Sequence, residues 1–386
     1  MTPLLKSGLR KESAAAAAFC WLLESGIQDT GTPATFGGMN AWYDLQENCY
    51  PFIYAEITGY AVNAYLFLHA VSDDRRYLEA ACRAADWLVR SRYPESGLVR
   101  TRVNHSNYKV PYFEAWAFTF DQWIMVYGLV SAAQVTKDPR FLNAAEGIAK
   151  FLLRETVTEE GLFFPIFDVM SGETLALGDK WSRQPGGFHA KALMGLNKLF
   201  ELTENPLYHE TAERLAAAVL NLQRPDGRFI THGGHFTHMH PHLYALEGLL
   251  GYGLARGRTD CIEAAQRGLE WTFKFQQEAG EIPCLYEEAV RPFVRADTLA
   301  QALRLGVALN ALGRFERPER LEKLSENLKG RQVQSGPQKG GFLYGQEENG
   351  MMHPHVNAWV TMFAAQALWW HENGFKTPQP DLSFFV

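Results

Sequence analysis

The sequence predicts an all-α (α/α)6 toroid, a ring of six helical hairpins. A weak internal repeat, two alternating kinds of helix and Gly-containing turns in phase with them carry that prediction. The repeat is visible as Asp74-Arg-Arg-Tyr-Leu-Glu-Ala-Ala, Asp138-Pro-Arg-Phe-Leu-Asn-Ala-Ala, Asn205-Pro-Leu-Tyr-His-Glu-Thr-Ala, Asp260-Cys-Ile-Glu-Ala-Ala and Arg317-Pro-Glu-Arg-Leu-Glu. Its apolar anchors Tyr77, Phe141, Tyr208, Ile262 and Leu321 lie 64, 67, 54 and 59 residues apart.

Each anchor opens a helix with apolar residues at helical spacing and charges between them, the mark of an outer helix. Asp or Asn followed by Pro supplies a cap and a first helical residue. A first amphipathic helix is expected at about Lys11–Ser25. Between the amphipathic segments lie helices that are apolar nearly all round, and these should be buried. They are expected at Gly59–Ala70, Asp121–Val135, Lys191–Leu202, Leu243–Ala255, Thr298–Leu312 and Asn357–Trp370. Turns at Gly97, Gly161, Gly227, Gly280 and Gly340-Gly341 follow the outer helices. Six buried and six amphipathic helices suit a closed ring better than an open solenoid. No Pro/Ser-rich linker breaks the chain, so residues 1–376 read as one toroid domain and 377–386 as a C-terminal extension.

Composition narrows the function. With 47% hydrophobic residues the chain can build a large core, and a net charge of −6 argues against a nucleic-acid partner. No apolar run of membrane-spanning length occurs. Lys6, Arg10 and Lys11 precede an apolar stretch, which runs into Glu24 and Ser25 without a small-x-small cleavage site; it reads as an ordinary helix. Five scattered cysteines without a CxxC pair fit a reduced, cytoplasmic protein. No cofactor motif is present, and the Gly-Gly pairs lack the Lys-Ser/Thr of a phosphate loop.

In a toroid the inner helices start at one mouth, so the residues at those starts are the candidates for a site. They are Tyr54-Ala-Glu56-Ile-Thr-Gly-Tyr60, Asp121-Gln-Trp123, Gly186-Gly-Phe-His189, His238-Met-His240-Pro-His242 with Glu247, Asp297 with Gln301 and Arg304, and His353-Pro-His355-Val-Asn357-Ala-Trp359. Carboxylates, imidazoles and aromatics recur at all six. That composition suits a sugar, whose flat faces stack on rings and whose hydroxyls meet polar groups. Glu56 sits among aromatics rather than solvent-facing neighbours, which favours a site over a simple complement to the helix dipole. Asp121 and Asp297 could equally be N-caps, but Gln301 and Arg304 share a helix face with Asp297.

Five of the twelve histidines fall between His232 and His242, and His-Pro-His occurs twice. The spacing lacks HExxH and has no cysteine nearby, so no metal is expected. Proton transfer and hydrogen bonding to hydroxyls are the remaining uses; His232 and His235 read as ornaments of a Gly-rich loop. Trp123, Trp181 and Trp359 are candidate stacking platforms, whereas Trp87, Trp271, Trp369 and Trp370 read as core.

On these motifs the chain resembles the six-hairpin glycosidase superfamily over nearly its whole length. It is most similar, around Tyr54–Tyr60, Phe120-Asp121-Gln122, Tyr244–Leu249 and Asp297–Arg304, to a bacterial group associated with polysaccharide gene clusters. That resemblance implies catalytic carboxylates at inner-helix ends, here Glu56, Asp121 and Asp297. The chain is also similar to N-acylglucosamine 2-epimerases, which implies catalytic histidines at His189, His242 (or His240) and His355. That family has Arg on its first inner helix, where this chain has Glu56, and a Glu where it has Ala245.

The leading expectation is therefore a glycoside hydrolase acting on a glycan or oligosaccharide, with Glu56, Asp121, Asp297 and His242 as catalytic candidates. Tyr54, Tyr60, Trp123, His189, His240, Glu247, Gln301, Arg304, His355, Asn357 and Trp359 are candidates for substrate binding. A sugar epimerase using a pair of imidazoles is the alternative, and a non-catalytic glycan-binding protein a further one.

Overall fold

In the computed structural model the described residues are 13–105, 115–178, 180–231, 234–287, 290–291, 293–346, 349–375 and 386. Lys6, Arg10, Lys11, His232 and most of the predicted C-terminal extension lie outside them. Twelve α-helices are found among the described residues. The inner set is α2 (Ala55–Ser72), α4 (Thr119–Thr136), α6 (Ala192–Thr203), α8 (Met239–Arg256), α10 (Ala296–Ala311) and α12 (Ala358–Asn373). The outer set is α1 (Ala14–Glu24), α3 (Arg75–Arg90), α5 (Pro139–Glu155), α7 (Pro206–Leu222), α9 (Thr259–Phe273) and α11 (Pro318–Lys329). Each inner helix packs against the outer helix that follows it, except α12, which packs against α1. That pairing, together with α12 against α2, closes the ring. No helix among the described residues is long and apolar enough to cross a membrane.

The outer helices begin where the repeat predicts. Asp74, Asp138 and Asn205 accept the N–H two residues on, and the anchors Tyr77, Phe141, Tyr208 and Leu321 are buried while Ile262 is half-buried. Inner-to-outer connections are tight: Asp73, Lys137, Glu204 and Gly257 close the inner helices with left-handed backbone. The outer-to-inner connections carry a second repeat. Gln28, Gln223, Gln276 and Gln332 each donate their amide to a turn glycine's carbonyl (Gly37, Gly227, Gly280, Gly340) and to a carbonyl of a neighbouring outer helix. Those glycines have φ between +91° and +100° and touch that helix's backbone, so only glycine fits.

Every inner helix starts at the same end of the ring, and four start directly from a short strand that the helical periodicity did not predict. Phe52–Tyr54 pairs with Arg102–Asn104, Trp116–Phe118 with Ile166–Asp168, Thr237–His238 with Leu285–Tyr286, and His355–Asn357 with both Trp42–Asp44 and Phe342–Leu343. These strands hold the loops that rim the mouth. The third inner helix begins instead with a 3-10 turn, Gly187–Lys191.

On the axis lies a buried ionic network. The fully buried Glu247 carboxylate accepts from Lys191 at 3.0 Å, from Arg304 Nε at 2.7 Å and from Gln301 at 3.3 Å. Lys191 lies 5.5 Å above the ring of Tyr60 and 5.6 Å above that of Tyr244, and Arg304 4.2 Å above Phe363. Lys191 also donates to the carbonyl of Val386, whose own N–H reaches Gln366. Burial pulls the Lys191 amine down to about 8, against the opposing pull of Glu247.

Two stability predictions follow from this packing. A Cβ on Gly128 would lie 2.6 Å from the Gly59 carbonyl oxygen, where α2 crosses α4. Gly128→Ala should therefore destabilise by about 1–3 kcal/mol in equilibrium denaturation, and an unchanged midpoint would contradict the crossing. Glu247→Ala strands two buried cations and should cost about 3–5 kcal/mol; a loss under 1 kcal/mol would mean the network is solvated.

Candidate functional site

The strand-to-helix entries place the first turns of α2, α4, α8 and α12 around one cavity of about 370 Å³. Of the predicted residues, Tyr54, Glu56, Asp121, His240 and Trp359 line it, as do the candidate platform Trp181 and the helix-start residues Phe120, Tyr244 and Arg295. A shallower depression edged by His238, Asn349 and His353 shares Arg295 and Tyr344 with the cavity and extends it.

Glu56 and Asp121 form the chemical centre. Burial pushes the Glu56 carboxyl up to about 7, against hydrogen bonding from Tyr54 and the nearby charges of Arg102 and Lys191. Burial, followed by the charge of Glu56, pushes Asp121 well above the usual carboxylate range. The Tyr54 hydroxyl lies beside both and has one proton to offer to either carboxyl. Asp121 Oδ2 is buried and has no hydrogen-bond partner among the described residues. Two such carboxyls in one cavity titrate as a pair, so that one keeps its proton after the other has ionised.

Asp297 is built for a different task. Arg295 grips both of its oxygens, Trp359 Nε1 donates at 3.2 Å and the Thr298 N–H at 2.8 Å. Burial would raise this carboxyl, but the charge of Arg295, then that of His240, outweighs it and holds Asp297 far below its ordinary range. It stays ionised and orients Arg295, Trp359 and His240.

His240 shows which proton it carries. Gln301 must point its amide NH₂ at the Glu247 carboxylate, so its oxygen faces His240 Nδ1 at 2.6 Å. Nδ1 is therefore the protonated nitrogen, and Nε2 is an acceptor. Burial lowers this imidazole to about 4, so it is neutral at physiological pH.

The other predicted residues lie elsewhere. His242 Nδ1 accepts the Phe229 N–H at 3.3 Å, and its Nε2 meets the Gly268 carbonyl and the Thr272 hydroxyl. It ties α8 to α9 and does not line the cavity. His189 is walled in by Phe188 and Phe163, and burial depresses it to about 3. His355 stacks on Trp42 at 4.5 Å, with its Nε2 3.6 Å from Asp44. Asn357 caps α12, Trp123 is buried against Phe163, and Tyr60 stacks on Tyr244. Glu247, Gln301 and Arg304 form the network beneath the cavity rather than its wall. His235 is exposed on its loop.

Sequence reasoning missed six cavity residues, Thr101, Arg102, Lys180, Ser182, Arg183 and Tyr344. All sit in outer-to-inner connections, outside the helix starts. One signal was available: Val99, Thr101 and Val103 alternate with Arg100, Arg102 and Asn104, a strand pattern that puts the charged residues on one face. Among the described residues no group of His, Cys, Asp and Glu is arranged to hold a metal ion.

No protein-family model matches the sequence, and no curated protein matches it. Solved structures do match. A cellobiose 2-epimerase from Bacillus thermoamylovorans superposes with a TM-score of 0.73 at 12% identity, covering 91% of this chain and 98% of that one. A D-mannose isomerase gives 0.71 at 13%, with 95% and 99% covered. An unsaturated glucuronyl hydrolase from Bacillus sp. GL1 gives 0.69 at 16%, with 95% and 97% covered. The chain thus has the (α/α)6 toroid of these sugar epimerases, isomerases and hydrolases.

Proposed function

We propose that the protein is a carbohydrate-active enzyme, a glycoside hydrolase acting on a glycan or oligosaccharide. The observation that carries this reading is the Glu56–Asp121 pair, a half-buried and a buried carboxyl in one aromatic-lined cavity, with the Tyr54 hydroxyl beside them. Hydrolysis of a glycosidic bond needs one protonated and one ionised carboxyl at the same sugar. Asp121, less exposed and raised further by its neighbour's charge, keeps the proton and gives it to the departing oxygen. Glu56, which receives the Tyr54 hydrogen bond and the field of Arg102, is the member that ionises. It meets the electron-poor anomeric carbon directly or through a water that it deprotonates. Trp181 and Trp359 offer ring faces to the sugar, and His240 Nε2 accepts from a hydroxyl.

The epimerase reading requires two imidazoles facing one sugar carbon. Of the histidines expected for it, only His240 lines the cavity, while His189, His242 and His355 are engaged or walled in elsewhere. That distribution favours the hydrolase.

Glu56→Gln and Asp121→Asn should each lower kcat on a cleavable glycan by at least about 100-fold with folding intact, read by reducing-sugar release and circular dichroism. Wild-type turnover in both would remove the pair from the mechanism. The pH dependence has a definite sign. Glu56 must be ionised, so kcat/KM should fall about tenfold per unit as pH drops below about 7. A profile that is flat from neutral to mildly acidic pH would contradict the assignment.

A further inference from the structure

The cavity holds about 370 Å³, towards the lower end of the roughly 300–1,000 Å³ of ligand pockets, and the Glu247 network lies beneath it. A second sugar unit therefore lies outside it. Room for that unit exists at the starts of α8, α10 and α12, in the depression of about 450 Å³ that shares Arg295 and Tyr344 with the cavity. Both shared residues are fixed by their neighbours. Arg295 grips the two oxygens of the buried Asp297, its Nη1 lies 3.2 Å from His238 Nε2, and its guanidinium lies 4.6 Å above the Tyr344 ring. Tyr344 meets Trp359 edge-on at 5.7 Å on the cavity side and His353 edge-on at 5.1 Å on the depression side. A seat held in this way needs little ordering when a ligand arrives.

The chemistry of the depression suits a neutral sugar. Gln346, His353 and His238 are half-buried in its wall, and the exposed Asn349 is fixed in a turn, its Oδ1 accepting the Met351 N–H at 2.9 Å. Amides and imidazoles supply both donors and acceptors, as sugar hydroxyls do, and Tyr344 adds aromatic surface. Arg295, the one permanently charged lining residue among those described, is matched by Asp297. The order of helices round the ring then gives a direction. α4 touches α2 and α6, whereas α10 touches α8 and α12, so α4 and α10 stand three steps apart at opposite sides of the mouth. Asp121, in the first turn of α4, gives its proton to the departing group, which therefore lies on the α4 side. The depression lies on the α10 side.

We infer that this depression is a second sugar subsite, taking a neutral sugar unit joined to the cavity sugar on the side away from the bond that breaks. The substrate is then a chain with at least two units on that side, which leave together. This direction rests on the hydrolase reading, whereas the second subsite itself does not.

The test is equilibrium binding by calorimetry of D-glucose, D-mannose and D-galactose, and of their 1,4-linked disaccharides cellobiose, mannobiose and galactobiose, to the full chain. At least one disaccharide should bind at least about tenfold more tightly than its monosaccharide. Gln346→Ala should lower that ratio at least about threefold, as should His353→Ala, which also removes a support of Tyr344. Circular dichroism checks that both variants fold. Equal affinities, no binding of any disaccharide, or a ratio unchanged in folded forms of both variants would overturn the proposal. Cleavage reads the direction: the 4-nitrophenyl glycoside of the preferred disaccharide should yield the intact disaccharide as its first sugar product. Prior release of a single sugar from the non-reducing end would overturn the placement. Failure of the hydrolase reading shows separately, as absent cleavage of every glycoside alongside an intact disaccharide preference.

Discussion

The carboxylate of Glu247 is the point on which the centre of the ring depends. It is buried on the axis, and a buried charge is tolerable only with its full complement of partners. Those partners come from around the ring. Lys191 precedes α6, and Arg304 and Gln301 belong to α10. The rings of Tyr60 of α2 and Tyr244 of α8 both face the Lys191 amine, while Phe363 and Gln366 of α12 hold Arg304. One anion therefore fixes the relative rotation of five of the six inner helices. Apolar packing alone tolerates sliding, whereas hydrogen-bond geometry does not.

The same network reaches the cavity floor. Gln301, turned by Glu247, sets the tautomer of His240, and Arg295 keeps Asp297 ionised. The far wall is thereby electrically fixed, with neither His240 nor Asp297 able to exchange a proton near neutral pH. Proton transfer is left to the opposite wall, where burial raises both Glu56 and Asp121 and the charge of Glu56 raises Asp121 further. The division of labour between two walls, one locked and one labile, is what distinguishes this site from a merely polar pocket.

Much of this was legible in the sequence, and the remainder was illegible for physical reasons. Helix pairing was readable because burial has a local signature: Tyr77, Phe141, Tyr208 and Leu321 recur at the same place in each hairpin. Glu56 was readable because a carboxylate among Tyr54, Thr58 and Tyr60 has no reason to be there as a simple cap. The histidines misdirected because spacing was read without rotation. His240 and His242 are two residues apart, about 200° around a helix, so one faces the cavity and the other faces α9. Asp297, Gln301 and Arg304 share a face, but that face descends into the buried interior, so none of the three lines the cavity and Asp297 acts on it only through Arg295 and Trp359. The strands before α2, α4, α8 and α12 are two or three residues long, too short for a period of two to register. Lys180, Arg183 and Tyr344 are brought to the cavity by outer-to-inner connections that no local pattern marks, whereas Arg102 lies in a readable alternation.

The central claim is that one of two adjacent carboxyls in this cavity stays protonated when ordinary carboxyls are fully ionised. Infrared difference spectroscopy of the intact protein reads this without a substrate. Well above pH 7, where Glu56 is ionised, the wild type should still show the carbonyl stretch of a protonated carboxylic acid, and that band should vanish in Asp121→Asn. Absence of the band from the wild type, or its persistence unchanged in Asp121→Asn, would contradict the account.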